Sequence, residues 1–399
     1  MVDDGERRRQ APRRYMEDPR VVLTLDAGGT NLVFGAIRGG REIVPPVTLS
    51  ATAGTLDEFL HLLITGFRRV YDGVQARAAA RGSAEVSAEP VAISFAFPGP
   101  ADYERGVIGD LINLPVFRGG VPLGPALEDQ FGLPVFISND GDLFALGESF
   151  AGFLPHVNSL LDQADRPRRY RNVLGVTFGT GFGAGVVCEG RLLKGDNSAA
   201  GEINRLRNRL APDWTVEESV SVRGVQRVYA RESDTDLVEC PTPEEINEIG
   251  LGKRPGDRLA AQRAFEELAI VAGDAVASVG SLVDGLVVIG GGLARGHALF
   301  LTRLVREMNA VYDTPLGERV PRSESLALNL EDPQDLATFL RGDLRELRVP
   351  LSSRTILHDA TKVVGVGITR LGTARAVSIG AYALALKRMD DGCACSIPG

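Results

Sequence analysis

Cysteine is scarce in this chain: four among 399 residues, at Cys188, Cys240, Cys393 and Cys395. Their scatter offers no disulfide framework and matches a reducing cytoplasm. Histidine is equally scarce, at His61, His156, His297 and His358, and none lies near a cysteine in the sequence. The CAC at 393–395 is too isolated for a structural zinc site, so no zinc is expected. Long apolar runs are missing, which excludes a helix spanning a bilayer. The opening MVDDGERRRQAPRRYMEDPR has no apolar stretch and is not a secretory signal. An excess of positive charge is missing too. The net charge of −8 and pI near 5.3 argue against nucleic-acid and membrane partners, which select basic faces. The one basic cluster, Arg7–Arg14, falls in what reads as a disordered tail over residues 1–20. The expectation is a soluble cytoplasmic protein.

What is present is a globular composition, 44% hydrophobic and 24% charged, long enough for two domains. Val21–Asp26 (VVLTLD) reads as a buried strand, AGGTN as a tight turn, and Leu32–Ile37 as its hairpin partner. Leu56–Ala80 has helical spacing, Val91–Ala96 is a second buried strand, and Ala126–Phe131, Val135–Ser138 and Leu143–Phe150 read as helix, strand, helix. The pattern then restarts. Asn172–Phe178 is a strand, GTGFGAG a glycine turn, and Val186–Leu193 a hairpin around Glu189 and Gly190. A long helix over Arg258–Val283, a strand over Gly285–Ile289, a triple glycine and a closing helix over Ala376–Leu386 follow. Two α/β halves that both open strand–glycine turn–strand predict a duplicated architecture with a cleft between the halves. Pro315–Thr361 fits the repeat poorly and reads as an insertion.

LDAGGTN and TFGTGFGAG are glycine turns between strands, where successive N–H groups can converge on an anion. Each alone reads as well as an ordinary hairpin. Asp26, at the end of the first strand, sharpens the reading: a carboxylate beside a phosphate calls for a bridging divalent cation. Neither turn has the P-loop spacing, and GTGFGA leads into a strand, which argues against a dinucleotide fold. IGGGLARG, by itself, reads as close helix–strand packing. In ISNDGDLFALGE, Asp142 reads as a helix-start acid and Glu148 as structural. Asp140 has no such role and could take a hydroxyl proton during phosphoryl transfer. Glu202, in KGDNSAAGEINR, and Glu217 and Glu218, in WTVEESVS, read alone as charges in a first helical turn.

Together these segments, in order from Val21 to Leu386, resemble the ROK family of repressors and sugar kinases, within the hexokinase–actin–Hsp70 superfamily. The resemblance implies an α/β fold of two actin-like (ribonuclease H-like) domains with an interdomain cleft. The domains would span 21–150 and 151–388, with an insertion at about 315–361, a helix at about 376–386 free to pack back on the first domain, and a tail over 389–399. It implies an ATP-dependent kinase acting on a monosaccharide hydroxyl, with the 6-hydroxyl expected, and ATP and Mg²⁺ as cofactors. Asp140 would be the base. Asn113, Asn139, Asp140, Glu202 and Glu217 would hold the sugar, with Ser221 at the following serine. Asp26, Gly28, Gly29, Thr30, Asn31, Gly179, Thr180, Gly181, Gly290, Gly291 and Gly292 would hold the nucleotide, and Asp26 would meet its Mg²⁺. Two departures stand out: Arg205 replaces the family's histidine, and Arg205–Trp214 carries no zinc-binding cysteines. That loop would be ordered by packing. The alternative left open is a catalytically silent sugar or nucleotide sensor, or a regulator of the same family. About 20 residues before the first strand is short for a DNA-binding module, and a homodimer is the family's default.

Overall fold

Val21–Ala27 forms a strand because its run of β-branched and apolar residues can be buried on both faces of a sheet. It pairs antiparallel with Asn31–Arg38, from Val22 opposite Ile37 to Ala27 opposite Leu32. On its other side it runs parallel to Pro90–Ala96, which runs parallel to Val135–Ser138. The short strands Arg41–Glu42 and Val47–Ser50 both pair with Asn31–Arg38. The structure, a computed structural model, describes residues 15–27, 31–81, 89–111 and 115–394. Gly28, Gly29, Thr30 and Asn113 lie outside the described residues. The chain divides into two units, the first comprising Met1–Gly152, Gly190–Ala200 and Thr373–Gly399, the second Phe153–Glu189 and Gly201–Gly372. That division departs from two contiguous domains at 21–150 and 151–388.

The core of the first unit is aromatic. Phe34, Phe59, Phe67, Phe95, Phe97 and Phe117 are buried and pack in edge-on and tilted pairs with centroids 5.0 to 6.3 Å apart. The helix Leu56–Arg81 packs on the opening hairpin, and the helix Thr373–Ala394 packs on the sheet and on the helix Asp140–Phe150. The two helices meet backbone to backbone: a methyl group on Gly147 would overlap Ala376, and one on Gly380 would overlap Leu143. Tyr382 is buried in the same helix; its hydroxyl donates to Tyr15 O at 3.1 Å and accepts from Gly39 N–H at 3.0 Å. Burial pushes this phenol up to about 12.

Both expected tails are shorter than the sequence suggests. Arg20 pairs with Asp18 and with Asp390, each at 2.8 Å, and Tyr15 donates to Asp390 at 3.0 Å. Residues 15–20 are therefore tied to the last helix, which runs on to Ala394 and takes in the first part of the 389–399 tail.

The sheet of the second unit orders Phe182–Cys188, Val173–Phe178, Leu286–Gly290, Val363–Ile368 and Leu326–Asn329. The first pair is antiparallel and the others are parallel. The helix Arg258–Val283 begins at Asp257, whose side chain accepts from Ala260 N–H at 2.9 Å, and stops at Asp284 in the left-handed region. The helices Val222–Ser233 and His297–Met308 pack against it. The expected insertion needs correction: within it, Leu326–Asn329 is an edge strand of the main sheet, followed by the helix Pro333–Arg341. Four residues are too few to show a period in the sequence. Two hairpins, Val311–Asp313 with Arg319–Pro321 and Leu344–Arg348 with Thr355–Asp359, stand outside that sheet.

Candidate active site

In the first unit the chemistry gathers at the carboxyl ends of the parallel strands, where open α/β sheets place ligands. Leu25 lies opposite Phe95, and Phe95 opposite Ile137, so Asp26 and Ser138 stand level near the ends of strands one apart. The next residues are Asn139 and Asp140. Burial pushes the Asp26 carboxyl up from its ordinary range, and the nearby Asp140 charge pushes it further. Among the described residues neither carboxylate has an ion pair. Two close acids without a cation fit a site that receives a divalent metal ion. Asp140 is exposed, and its Oδ1 accepts from Gly141 N–H at 2.9 Å. Its Oδ2 has no hydrogen bond among the described residues.

The polar cluster after this strand sorts differently from the sequence expectation. Asn139, not Asp142, caps the helix: its Oδ1 accepts from Asp142 N–H at 2.6 Å, and its backbone is extended. The amide NH₂ of Asn139 stays available as a donor. Asp142 is buried and accepts from Ser138 Oγ at 2.9 Å, which holds the strand end to the helix start. Glu148 is fully buried in the same helix. Asn31 opens the second strand opposite Ser50 and is exposed.

In the second unit two glycine clusters come together. The turn Gly179–Gly181 ends the strand Val173–Phe178, and Gly290–Gly292 ends the neighbouring parallel strand, with Gly290 opposite Thr177. Gly291 has a φ of 87°, and a methyl group there would overlap the backbone of Phe178, so only glycine fits. Around Gly292 the space is open. Gly179 N–H is used inside the turn, donating to Gly181 O at 3.0 Å. The N–H groups of Thr180 and Gly181 have no acceptor among the described residues and are available to an anion.

Glu202 is exposed and precedes a short 3-10 turn, Ile203–Arg205, without capping it. Arg205 is exposed beside it. Glu217 lies in another 3-10 turn, Val216–Glu218, rather than at the start of a helix; the helix Val222–Ser233 begins later, capped by the buried Ser221. Ser221 is thus a structural residue, its Oγ accepting from Gly224 N–H at 3.3 Å.

The loop between these glutamates is ordered by Asn208, which no sequence motif marks. Asn208 is fully buried; its amide donates to Ser219 Oγ at 2.9 Å and Thr215 O at 3.3 Å, and its carbonyl accepts from Leu210 N–H at 2.9 Å and Ala211 N–H at 3.2 Å. The Arg227 guanidinium covers the Trp214 ring at 4.6 Å. Arg223, also unmarked in the sequence, bonds Glu217 at 3.1 Å and Glu218 at 2.8 Å.

A family model described as the ROK family matches residues 22–325. An N-acetyl-D-glucosamine kinase of Vibrio cholerae is 30% identical over 185 residues, 46% of this chain and 51% of that protein, so the match spans about half of that relative. A glucokinase of Thermotoga maritima is 25% identical over 297 residues, covering 70% of this chain and 84% of the relative. A crystal structure of a glucokinase from Parabacteroides distasonis is 50% identical, covers 94% of this chain and 99% of that one, and superimposes with a TM-score of 0.83. The α/β fold is that of these actin-like proteins, and the chain belongs to the ROK family.

Proposed function

We propose that the protein is an ATP-dependent sugar kinase in which Asp140 is the general base. The observation that carries this reading is the pairing of Asp140 with Asp26 at level strand ends, with no cation beside either among the described residues. Asp140, exposed and with Oδ2 unengaged, can accept the proton of a sugar hydroxyl. The hydroxyl oxygen then forms a bond to the γ-phosphorus of ATP, the bond to the bridging oxygen breaks, and ADP leaves with that electron pair. The Asn139 amide donates to a neighbouring sugar hydroxyl while its oxygen keeps the helix in place. Glu202 and Glu217 accept from further hydroxyls. The N–H groups of Thr180 and Gly181 receive phosphate oxygens, and the adenosine lies at Gly290–Gly292, where the space beside Gly292 is open. Asp26 is the residue that would hold Mg²⁺, which when bound offsets the charge of the phosphates. Asn113 and the turn Gly28–Thr30, beyond the described residues, belong to the same proposal.

Relatives called glucokinase and N-acetyl-D-glucosamine kinase support the sugar class, and they make glucose and N-acetylglucosamine the first acceptors to try, with the 6-hydroxyl as the proposed acceptor. The test is ADP release against a panel of monosaccharides, with the product's phosphate position read by NMR. Asp140→Asn should lower turnover by about 10³-fold or more while the protein still folds. Turnover within a few-fold of the parent in that variant would remove Asp140 as the base.

A further inference from the structure

Two hydrogen bonds join the segment that carries Glu217 to the glycine turn of the second unit. Phe182 N–H donates to Glu217 Oε2 at 3.0 Å, and Val222 N–H donates to Gly179 O at 2.8 Å. The other carboxylate oxygen, Oε1, accepts from Arg223 Nη2 at 3.1 Å. A methyl group at Gly181 would stand 2.6 Å from Glu217 Oε2. Gly181 has no left-handed φ, so the turn itself does not require glycine there. The bare position is what lets the carboxylate lie against the turn.

We infer that Glu217 couples sugar to nucleotide within this unit, and that Arg223 is the positioning residue that sets its carboxylate. The inference rests on the sugar-kinase reading above. A carboxylate offers about four acceptor sites, so one fixed by Phe182 and Arg223 can still accept from a hydroxyl. A sugar that draws on Glu217 also pulls on Phe182 N–H, and with it on the turn whose Thr180 and Gly181 amides await phosphate. Linkage requires the converse: a nucleotide seated on the turn tightens the sugar by the same factor. Arg223 stands half exposed and is also held by Glu218, so it sets the carboxylate without itself belonging to the turn.

The test is calorimetric titration of AMPPNP with and without saturating glucose, or N-acetylglucosamine if the panel favours it. In the parent protein the sugar should tighten AMPPNP about tenfold. In Arg223→Gln that factor should fall below about threefold and the sugar KM should rise about tenfold, with kcat changed much less, as expected for loss of one charge-assisted hydrogen bond in binding. Arg223→Lys should recover part of both, and Glu218→Gln, which removes the charge that Arg223 and Arg227 share but leaves Glu217 untouched, should keep the coupling. A second experiment needs no sugar. Gly181→Ala should weaken AMPPNP, and adding Glu217→Ala should restore it, because the obstacle to the methyl group is then gone. An active parent whose coupling survives Arg223→Gln, or additive effects of Gly181→Ala and Glu217→Ala, overturns the inference and leaves the kinase reading standing. A parent that phosphorylates no sugar on the panel removes both. If Arg223→Gln fails to fold by circular dichroism, the Gly181–Glu217 pair decides alone.

Discussion

Asp26 and Asp140 place two carboxylates close together, and each ionised charge weighs on the other. The folded state holds the Asp26 carboxyl above its ordinary range, first through burial and then through Asp140. An acid raised in this way costs stability once it is ionised. The cost is absent below the unfolded value of about 4 and grows as pH rises through the folded one. Asp140→Asn removes one of the two causes, so it should melt higher than the parent at pH 7, with the gap closing toward pH 4. A gap of the same size at both pH values would contradict the account. The placing of Asp140 just beyond a strand end is legible in the sequence, because a buried strand there gives way abruptly to acids and an amide. Which neighbour caps the helix is not legible, since Asn and Asp both make good caps and the choice depends on backbone geometry. Asn208 and Arg223 leave no sequence signal at all: one is a buried amide in a loop, the other a common surface cation.

Between strands and helices, the hairpin that opens the second unit follows from two apolar runs joined by glycines, and the long helix Arg258–Val283 is read to the residue. The segment around Glu217 is not, because the paired acids of WTVEESVS read as the first turn of a helix while the chain makes a 3-10 turn tied to Gly179 and Phe182. Tertiary hydrogen bonds override local propensity there. The contact between the helices Asp140–Phe150 and Thr373–Ala394 is equally silent in sequence, although it fixes the helix that begins at Asp140. Gly380→Ala should destabilise the protein by about 2–3 kcal/mol through overpacking. It should also lower kcat if Asp140 is the base as proposed, because relief of the overlap moves the two helices apart at the one that begins with Asp140. Chemical denaturation and steady-state rates check both halves; an unchanged midpoint would show that the helices can part without cost.

At the scale of the molecule, two α/β repeats in succession are visible in the sequence, whereas the return of the last helix to the first unit is expected only from the family resemblance and not from the helix's own residues. SIGAYALAL is apolar all round, which announces burial without naming the sheet it covers. The first unit is closed by Tyr382, by the Arg20–Asp390 pair and by the interlocked glycines, all of which involve the last helix. Deleting residues 373–399 should therefore leave residues 15–152 open to protease while the sheet of the second unit, with its own core, resists digestion. Protection of 15–152 in the truncated protein would argue that its sheet suffices alone. The same arrangement bears on how the protein is made. A ribosome adds about 5–20 residues per second, so the strand beginning at Val21 waits tens of seconds for the helix that finishes its layer. The half translated first is thus the half completed last, and the second unit can reach its native form while the aromatic sheet of the first still lacks its cover. Nascent chains stalled before Thr373 should therefore bind a chaperone through their N-terminal half.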